Sequence, residues 1–421
     1  MIAPLLARFP VGARVTAAAH RAEARLAALP PRGDADAAAR VQRAYADEAP
    51  GSDELAGMLG YGYGDPARAR YEGLLARLFG AEAAFARLSF VSGTHAIVTA
   101  LAACAPPGGR IVAATGRPYD TLASALSLAP RALTTRGIGY VEIPLAPSGD
   151  ADPAALAAEL AGPRATAHDV VFVQRSRGYA PRRSLSARAC GAIAATARAA
   201  APSALVLVDN CYGELVDPTE PTHHGADLVM GSLIKNLGGS LAPAGGYVIG
   251  RAELVARVAD FHVAPGLGAA VGSSLGFGRA LLQGLFLAPL VLRETLAGLD
   301  FFAALFEELG CEVDPVAGAE RHDIVQAIRL GDAVRLLAFA RGLQRAMPLD
   351  ARFVPEPGPV PGYPAPVVMS GGGFVPGATI ELSCDAPLRA PFEVYVQGGV
   401  DRVQSRLGAL LAADELYKDS S

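Results

Sequence analysis

From about residue 65 onward, helical segments alternate with short, almost uninterrupted apolar runs. These are Phe85 to Val91, Arg110 to Ala114, Ile138 to Ile143, Val170 to Gln174, Ala204 to Asp209, Asp227 to Gly231 and Gly245 to Ile249. The runs lack the polar alternation of a half-solvated strand, so both of their faces must be covered. With helices between them, they predict a mainly parallel seven-stranded sheet in a large α/β domain. Such sheets bind ligands at the carboxyl ends of their strands. Polar residues gather at those ends: Ser92-Gly93-Thr94-His95 after Val91, Gln174-Arg175-Ser176-Arg177 after Val173, Asp209-Asn210 after Val208, and Ser232 to Lys235 after Met230.

The flanking pattern differs. Residues 10 to 49 show helical spacing interrupted at Pro30-Pro31, which predicts an N-terminal helical arm over 1–50. A long helical region near 274 to 309 follows the sheet. Beyond it come strands expected near 323–329, 365–370 and 378–383, and helices expected near 332–346 and 391–413. The division predicted is a large domain over 51–290 and a smaller α+β domain over 291–421, with a Pro/Gly-rich loop from Pro355 to Pro366 in the latter.

Composition narrows the partners. A chain of 421 residues exceeds one core, and 51% hydrophobic content argues for closely packed domains. A formal net charge of -4 supplies no basic field for nucleic acid. The longest apolar stretch, around Leu281 to Leu292, is broken by Gln283, Gly284 and Pro289, so no membrane association is expected. Met1 to Val15 lacks the core and cleavage pattern of a signal peptide, and the expected location is cytoplasmic. Five separated cysteines without a Cys-x-x-Cys pair read as reduced core thiols, and His223-His224 has no third ligand at metal spacing.

The chemistry centres on a lysine. Lys235 and Lys418 are the only lysines, all other basic side chains being arginine or histidine. An amine retained in an apolar, glycine-rich segment points to a role that needs a removable proton, which guanidinium cannot supply. Asp209 ends the run Leu205-Val206-Leu207-Val208, where a buried carboxylate requires a cationic partner, either a protonated pyridine nitrogen or an arginine. Ser92-Gly93-Thr94 at a strand-to-helix turn offers backbone amides to a phosphate, and Ser232 adds a hydroxyl. Tyr119 is placed to stack on a ring and Tyr212 to donate to its phenolic oxygen. Together these are the requirements of a pyridoxal 5'-phosphate (PLP) site.

The segments Val91-Ser92-Gly93-Thr94-His95-Ala96, Gly116-Arg117-Pro118-Tyr119-Asp120, Gln174 to Tyr179, Val208 to Glu214, Gly231 to Asn236, Gln283 to Pro289 and Gln397-Gly398-Gly399 resemble the methionine gamma-lyase-like family, also labelled aluminium resistance proteins. The resemblance runs from about 40 to 400 and implies a fold-type I PLP-dependent architecture, assembled as a homodimer or homotetramer with sites at subunit interfaces. It implies Lys235 as the Schiff-base lysine and Asp209 as the pyridinium partner. It also implies Ser92, Gly93, Thr94 and Ser232 around the phosphate, and Tyr61 or Tyr63 of the Gly60 to Gly64 tract reaching a neighbouring subunit's phosphate. Leu237 and Ser240 depart from the family's Lys-Asn-Pro-Gly-Gly-Gly pattern, which affects the loop's shape.

A bidentate arginine would orient the substrate carboxylate, and Arg389, Arg175 and Arg177 are the candidates. The reaction expected is carbon-sulfur elimination from a sulfur-containing amino acid, by Cα deprotonation and loss of a β- or γ-substituent. The same constellation also serves aldol cleavage, transamination, racemisation and γ-replacement, or PLP binding without turnover in a stress protein. An NAD-binding fold is a further alternative, but Gly266-Leu267-Gly268 and Gly60 to Gly64 do not open a βαβ unit.

Overall fold

All seven apolar runs become strands of one sheet. A computed structural model describes residues 2–30 and 35–418. The strands are β1 Ala83–Arg87, β2 Arg110–Ala113, β3 Gly139–Glu142, β4 Asp169–Gln174, β5 Leu205–Asp209, β6 Leu228–Ser232 and β7 Gly246–Gly250. Their order is β1-β7-β6-β5-β4-β2-β3. Pairs from β3 through β6 are parallel, and only β7 runs antiparallel to its neighbours β6 and β1. Both faces are buried, as the runs predict. Val170, Phe172, Leu207, Leu228, Met230 and Val248 pack on one face with the helices Gly93–Cys104 and Ala252–His262. Val171, Val173, Val206, Val208, Val229 and Tyr247 are equally buried on the other. There Tyr247 meets Phe79 just after the helix Pro66–Leu78, with ring centroids 6.1 Å apart.

β1 stops at Arg87, short of the expected Val91. The chain turns there, with the Phe90 amide donating to the Arg87 carbonyl, while the Arg87 guanidinium pairs with Glu72 and bonds the Val271 carbonyl. These partners hold the Arg87 side chain at the point where the strand ends.

The chain divides into two packed units, Ala35–Leu287 around this sheet and Met1–Asp34 with Ala288–Ser421 around another. The expected arm over 1–50 is therefore split. Helix Ala13–Ala27 packs with helix Arg402–Tyr417, and Gly12 donates to Asp414 Oδ1 at 2.9 Å. Helix Ala35–Glu48 packs with Pro66–Leu78. Residues 31–34, including half of the expected Pro30-Pro31 break, lie outside the described residues.

The second unit holds an antiparallel sheet of β8 Glu312–Asp314, β9 Val325–Arg329, β10 Pro357–Gly358, β11 Val367–Ser370, β12 Ser383–Pro387 and β13 Glu393–Gln397, ordered β10-β11-β12-β13-β9-β8. Helices Ala333–Gln344 and Arg402–Tyr417 pack together beside it. Two local expectations are corrected. The strand expected at 378–383 begins at Ser383, after a turn in which Glu381 donates to the Ala378 carbonyl. The helix expected from 391 starts only at Arg402, capped by Asp401, because Glu393-Val-Tyr-Val-Gln pairs with β9 and β12. Helix Gly278–Glu308 runs through Pro289 and is long and apolar enough to cross a bilayer by length and composition alone. Its Phe301, Phe302 and Phe306 are buried, and it pairs Glu294 with Arg402 and Asp300 with Arg321.

Candidate active site

Three strand ends converge at the carboxyl edge of the large sheet. Gln174 pairs in register with Asp209 and Asp209 with Met230, while Ser232 stands opposite Gly246. Asp209 and Ser232 share the parity of Leu207 and Met230, so both face the side covered by helix Gly93–Cys104. Ser92 caps that helix by accepting from the His95 amide at 3.1 Å. The first helical residue has no room for a side chain: a Cβ on Gly93 would stand 3.1 Å from the Ser232 Cβ, 3.3 Å from its N and 3.4 Å from Cys211 Sγ. The helix N-terminus is thereby pressed against the end of β6, which brings the amides of its first turn beside Ser232.

Tyr119 borders it. Its hydroxyl bonds Thr94 Oγ1 at 2.7 Å and its amide donates to Gln174 Oε1 at 3.1 Å. Burial raises the phenol well above its usual range, the negative field of Asp209 adds to this, and the hydroxyl therefore keeps its proton.

Lys235 and Asp209 belong to the same cluster. Lys235 is half-buried, with Nζ 3.7 Å above the Tyr212 ring centroid. Burial works against the ammonium, but the surrounding Cys211, Tyr212, Asp209 and Tyr119 outweigh it and raise its pKa well above the ordinary lysine value. Asp209 is buried and accepts from the Cys211 amide at 3.1 Å. Burial lifts this carboxyl above its ordinary range, opposed by Lys235 and Arg182. The Cys211 thiol is pushed far up by burial and then by Asp209, which makes it packing and not a nucleophile. Tyr212 sits at φ 72°, a strained position for a non-glycine residue. Asn236 Nδ2 holds that turn by donating to the carbonyls of Tyr212 at 3.0 Å and Glu214 at 2.9 Å.

The three arginine candidates separate. Arg175 is fully buried: Nε donates to the Leu185 carbonyl at 3.1 Å, one terminal nitrogen to Asn210 Oδ1 at 2.6 Å, and the other to Asp217 Oδ2 at 2.6 Å. Glu220 lies 3.4 Å away. With its fork committed to this network, Arg175 cannot grip a substrate, and that expectation is corrected. Arg177 is buried in the same loop. Arg389 is half-buried in the other unit, in the turn after β12 where the Phe392 amide donates to its carbonyl at 2.8 Å. Tyr61 and Tyr63 are 80% and 58% exposed between glycines of positive φ, outside the enclosed cluster.

Sequence reasoning missed four residues. Arg182 is buried near Asp209, bonding the Thr115 and Arg177 carbonyls, and burial lowers its pKa to about 10. Glu214, Asn236 and Tyr247 form a network behind the lysine loop. Glu214 and Asn236 lie inside the motifs Val208 to Glu214 and Gly231 to Asn236, which assign them no role, and Arg182 and Tyr247 carry no sequence signal.

The sequence profile of the family described as methionine gamma-lyase matches residues 22–417. The uncharacterized protein YnbB of Bacillus subtilis (strain 168) is 38% identical over 383 residues, covering 90% of each chain. A solved structure from Clostridium novyi NT, described as a carbon-sulfur lyase involved in aluminum resistance, superposes with a TM-score of 0.90 at 32% identity and covers 98% of each chain. The pyridoxal-5'-phosphate dependent protein YhfS of Escherichia coli shares the fold, with a TM-score of 0.60 at 20% identity over 91% of this chain and 98% of its own.

Proposed function

The chain belongs to the methionine gamma-lyase family, and from that premise we propose that it is a PLP-dependent carbon-sulfur lyase acting on a sulfur-containing amino acid. One observation carries the reading: the Lys235 amine and the buried Asp209 carboxyl share a cluster with the anion-binding N-terminus of helix Gly93–Cys104. The donor set fits the cofactor. The close approach of Gly93 to Ser232 brings the N-terminal amides of that helix beside the Ser92 and Ser232 hydroxyls, a donor set of the kind a phosphate takes. Asp209, lifted by burial, lacks the full cationic partner that a protonated ring nitrogen would provide.

When bound, PLP supplies an electron sink for the carbanion at the amino acid's Cα. The chain's own residues do the rest. Lys235 Nζ moves the Cα proton, and the Tyr212 ring beneath that nitrogen fixes where it can reach. Tyr119 Oη retains a proton to donate, and its bond to Thr94 holds the ring at the phosphate end. Arg177 and Arg389 remain the candidates for the substrate carboxylate in this reading, since Arg175 is committed elsewhere. The exposed Tyr61 and Tyr63 support a homodimer or homotetramer in which they complete a neighbouring copy's phosphate site.

The test is a panel of cystathionine, methionine, homocysteine and cysteine with PLP-loaded protein. Equal release of 2-oxo acid, ammonia and a thiol, or hydrogen sulfide from cysteine and homocysteine, from at least one of them, abolished by Lys235→Ala, is expected. Turnover without release of thiol or hydrogen sulfide would move the reading to another Cα chemistry, and no 2-oxo acid from any of the four would refute the lyase.

A further inference from the structure

The carboxyl end of β4 carries a buried amide on the same face as Asp209. Gln174 shares the parity of Val170 and Phe172, stands in register with Asp209 and is 3% exposed. The Ala114 amide after β2 bonds the Phe172 carbonyl at 2.8 Å, but the Gln174 main-chain amide turns to the Thr115 hydroxyl at 3.0 Å. Main-chain pairing thus gives way to side chains where the loop to Tyr119 begins.

That loop ends at the start of the short helix Asp120–Ala123, which Tyr119 precedes with no side-chain cap of its own. The first amides of a helix have no intrahelical partner. Gln174 supplies one: its Oε1 accepts from the Tyr119 amide at 3.1 Å, while its Nε2 donates to the Ser176 carbonyl at 3.2 Å. Gly178, at φ 57°, closes over the pair, and a Cβ there would stand 2.7 Å from Gln174 Nε2 and 3.7 Å from the Tyr119 Cβ. Arg182 fixes the bases of both loops separately, with Nε on the Arg177 carbonyl at 3.2 Å and a terminal nitrogen on the Thr115 carbonyl at 2.5 Å. From the backbone so held, the Tyr119 hydroxyl reaches Thr94 Oγ1 at 2.7 Å, in the first turn of helix Gly93–Cys104. Each link from Gln174 to that turn is a direct contact.

We propose that Gln174 is a positioning residue for Tyr119: its side-chain amide sets the backbone from which the phenol reaches the phosphate end of the site. The acceptor it offers is local, because Arg182 holds the rest of the two loops. The inference rests on the PLP reading only in giving Tyr119 a cofactor to work on.

The test uses full-length, cofactor-free protein labelled with ¹⁵N-tyrosine, in which Tyr119→Phe identifies the Tyr119 signal among the 12 tyrosine amides. Hydrogen exchange of that amide should quicken about two- to tenfold in Gln174→Met, the effect of one net hydrogen bond, and stay slow in Gln174→Glu, which keeps an acceptor. The other tyrosine amides should hold their rates. Unchanged Tyr119 exchange in Gln174→Met overturns the proposal, as does faster exchange spread over every tyrosine, which marks a residue of general stability. If Gln174→Met does not fold, Gly178→Ala displaces the same side-chain amide and decides in its place. In PLP titrations Gln174→Met should weaken binding about two- to tenfold and add no further loss to Tyr119→Ala. Equal losses in the two backgrounds overturn the proposal. Unaltered protein that takes up no PLP would end the PLP reading, while the exchange rates still decide this one.

Discussion

Replacing Asp209 by Asn separates the stability of the protein from its affinity for the cofactor. Asp209 is buried, and its carboxyl is lifted above the ordinary range by burial despite Lys235 and Arg182. An acid raised in the folded state costs stability as pH rises from the unfolded value, about 3.9, through the raised one. At pH 7 to 8 the cofactor-free protein therefore carries a cost that asparagine removes. The amide oxygen of Asn can still accept from the Cys211 amide, so that bond survives. The cofactor-free variant should unfold in urea within about 1 kcal/mol of the unaltered protein, or later. PLP affinity should move the opposite way. Removing one partner of a buried ion pair costs about 3–5 kcal/mol, or roughly two to three and a half orders of magnitude in affinity. Absorbance titration of both proteins with PLP measures this. Equal affinity in the two, or a cofactor-free variant that fails to fold, would refute the assignment of Asp209 to the ring nitrogen.

Arg175→Ala removes the ion pair to Asp217 and one of the two cations at Glu220, Arg40 being the other, and should cost about 3–5 kcal/mol in urea unfolding, whereas Arg389→Ala should change stability by less than about 1 kcal/mol and raise KM with little change in kcat. Burial raises the thiols of Cys104, Cys190, Cys211 and Cys384, so brief alkylation of the native protein at pH 8 should label none of them, and peptide mapping after labelling checks this. Tyr119→Phe and Thr94→Val should each weaken PLP binding by about 0.5–1.5 kcal/mol, and the double variant by less than the sum, because both remove the same 2.7 Å bond.

The large sheet was legible because strands buried on both faces read as apolar runs whichever face is considered. Its ends were less so: Arg87 turns the chain out of β1 through contacts with residues far away in sequence. In the second unit, Glu393-Val-Tyr-Val-Gln falls within the helix expected over 391–413, although its alternating valines are a strand signature. The placement of Lys235, Asp209, Ser232 and the Ser92-Gly93-Thr94 cap along one edge of the sheet was readable because each follows directly on an apolar strand. An arginine at such an end looks the same whether it meets a substrate or crosses to buried acids, so Arg175 was misassigned. Arg182 and Tyr247 owe their places to tertiary contacts alone, whereas Asn236 lies inside a recognised motif that says nothing of the turn it ties down.

The most direct test of the account is where the cofactor attaches. PLP-loaded protein is reduced with borohydride, digested, and its peptides weighed. The account predicts one pyridoxyl group, on the peptide containing Lys235, and none in Lys235→Ala. A group on Lys418, or no covalent attachment to either lysine, would contradict it.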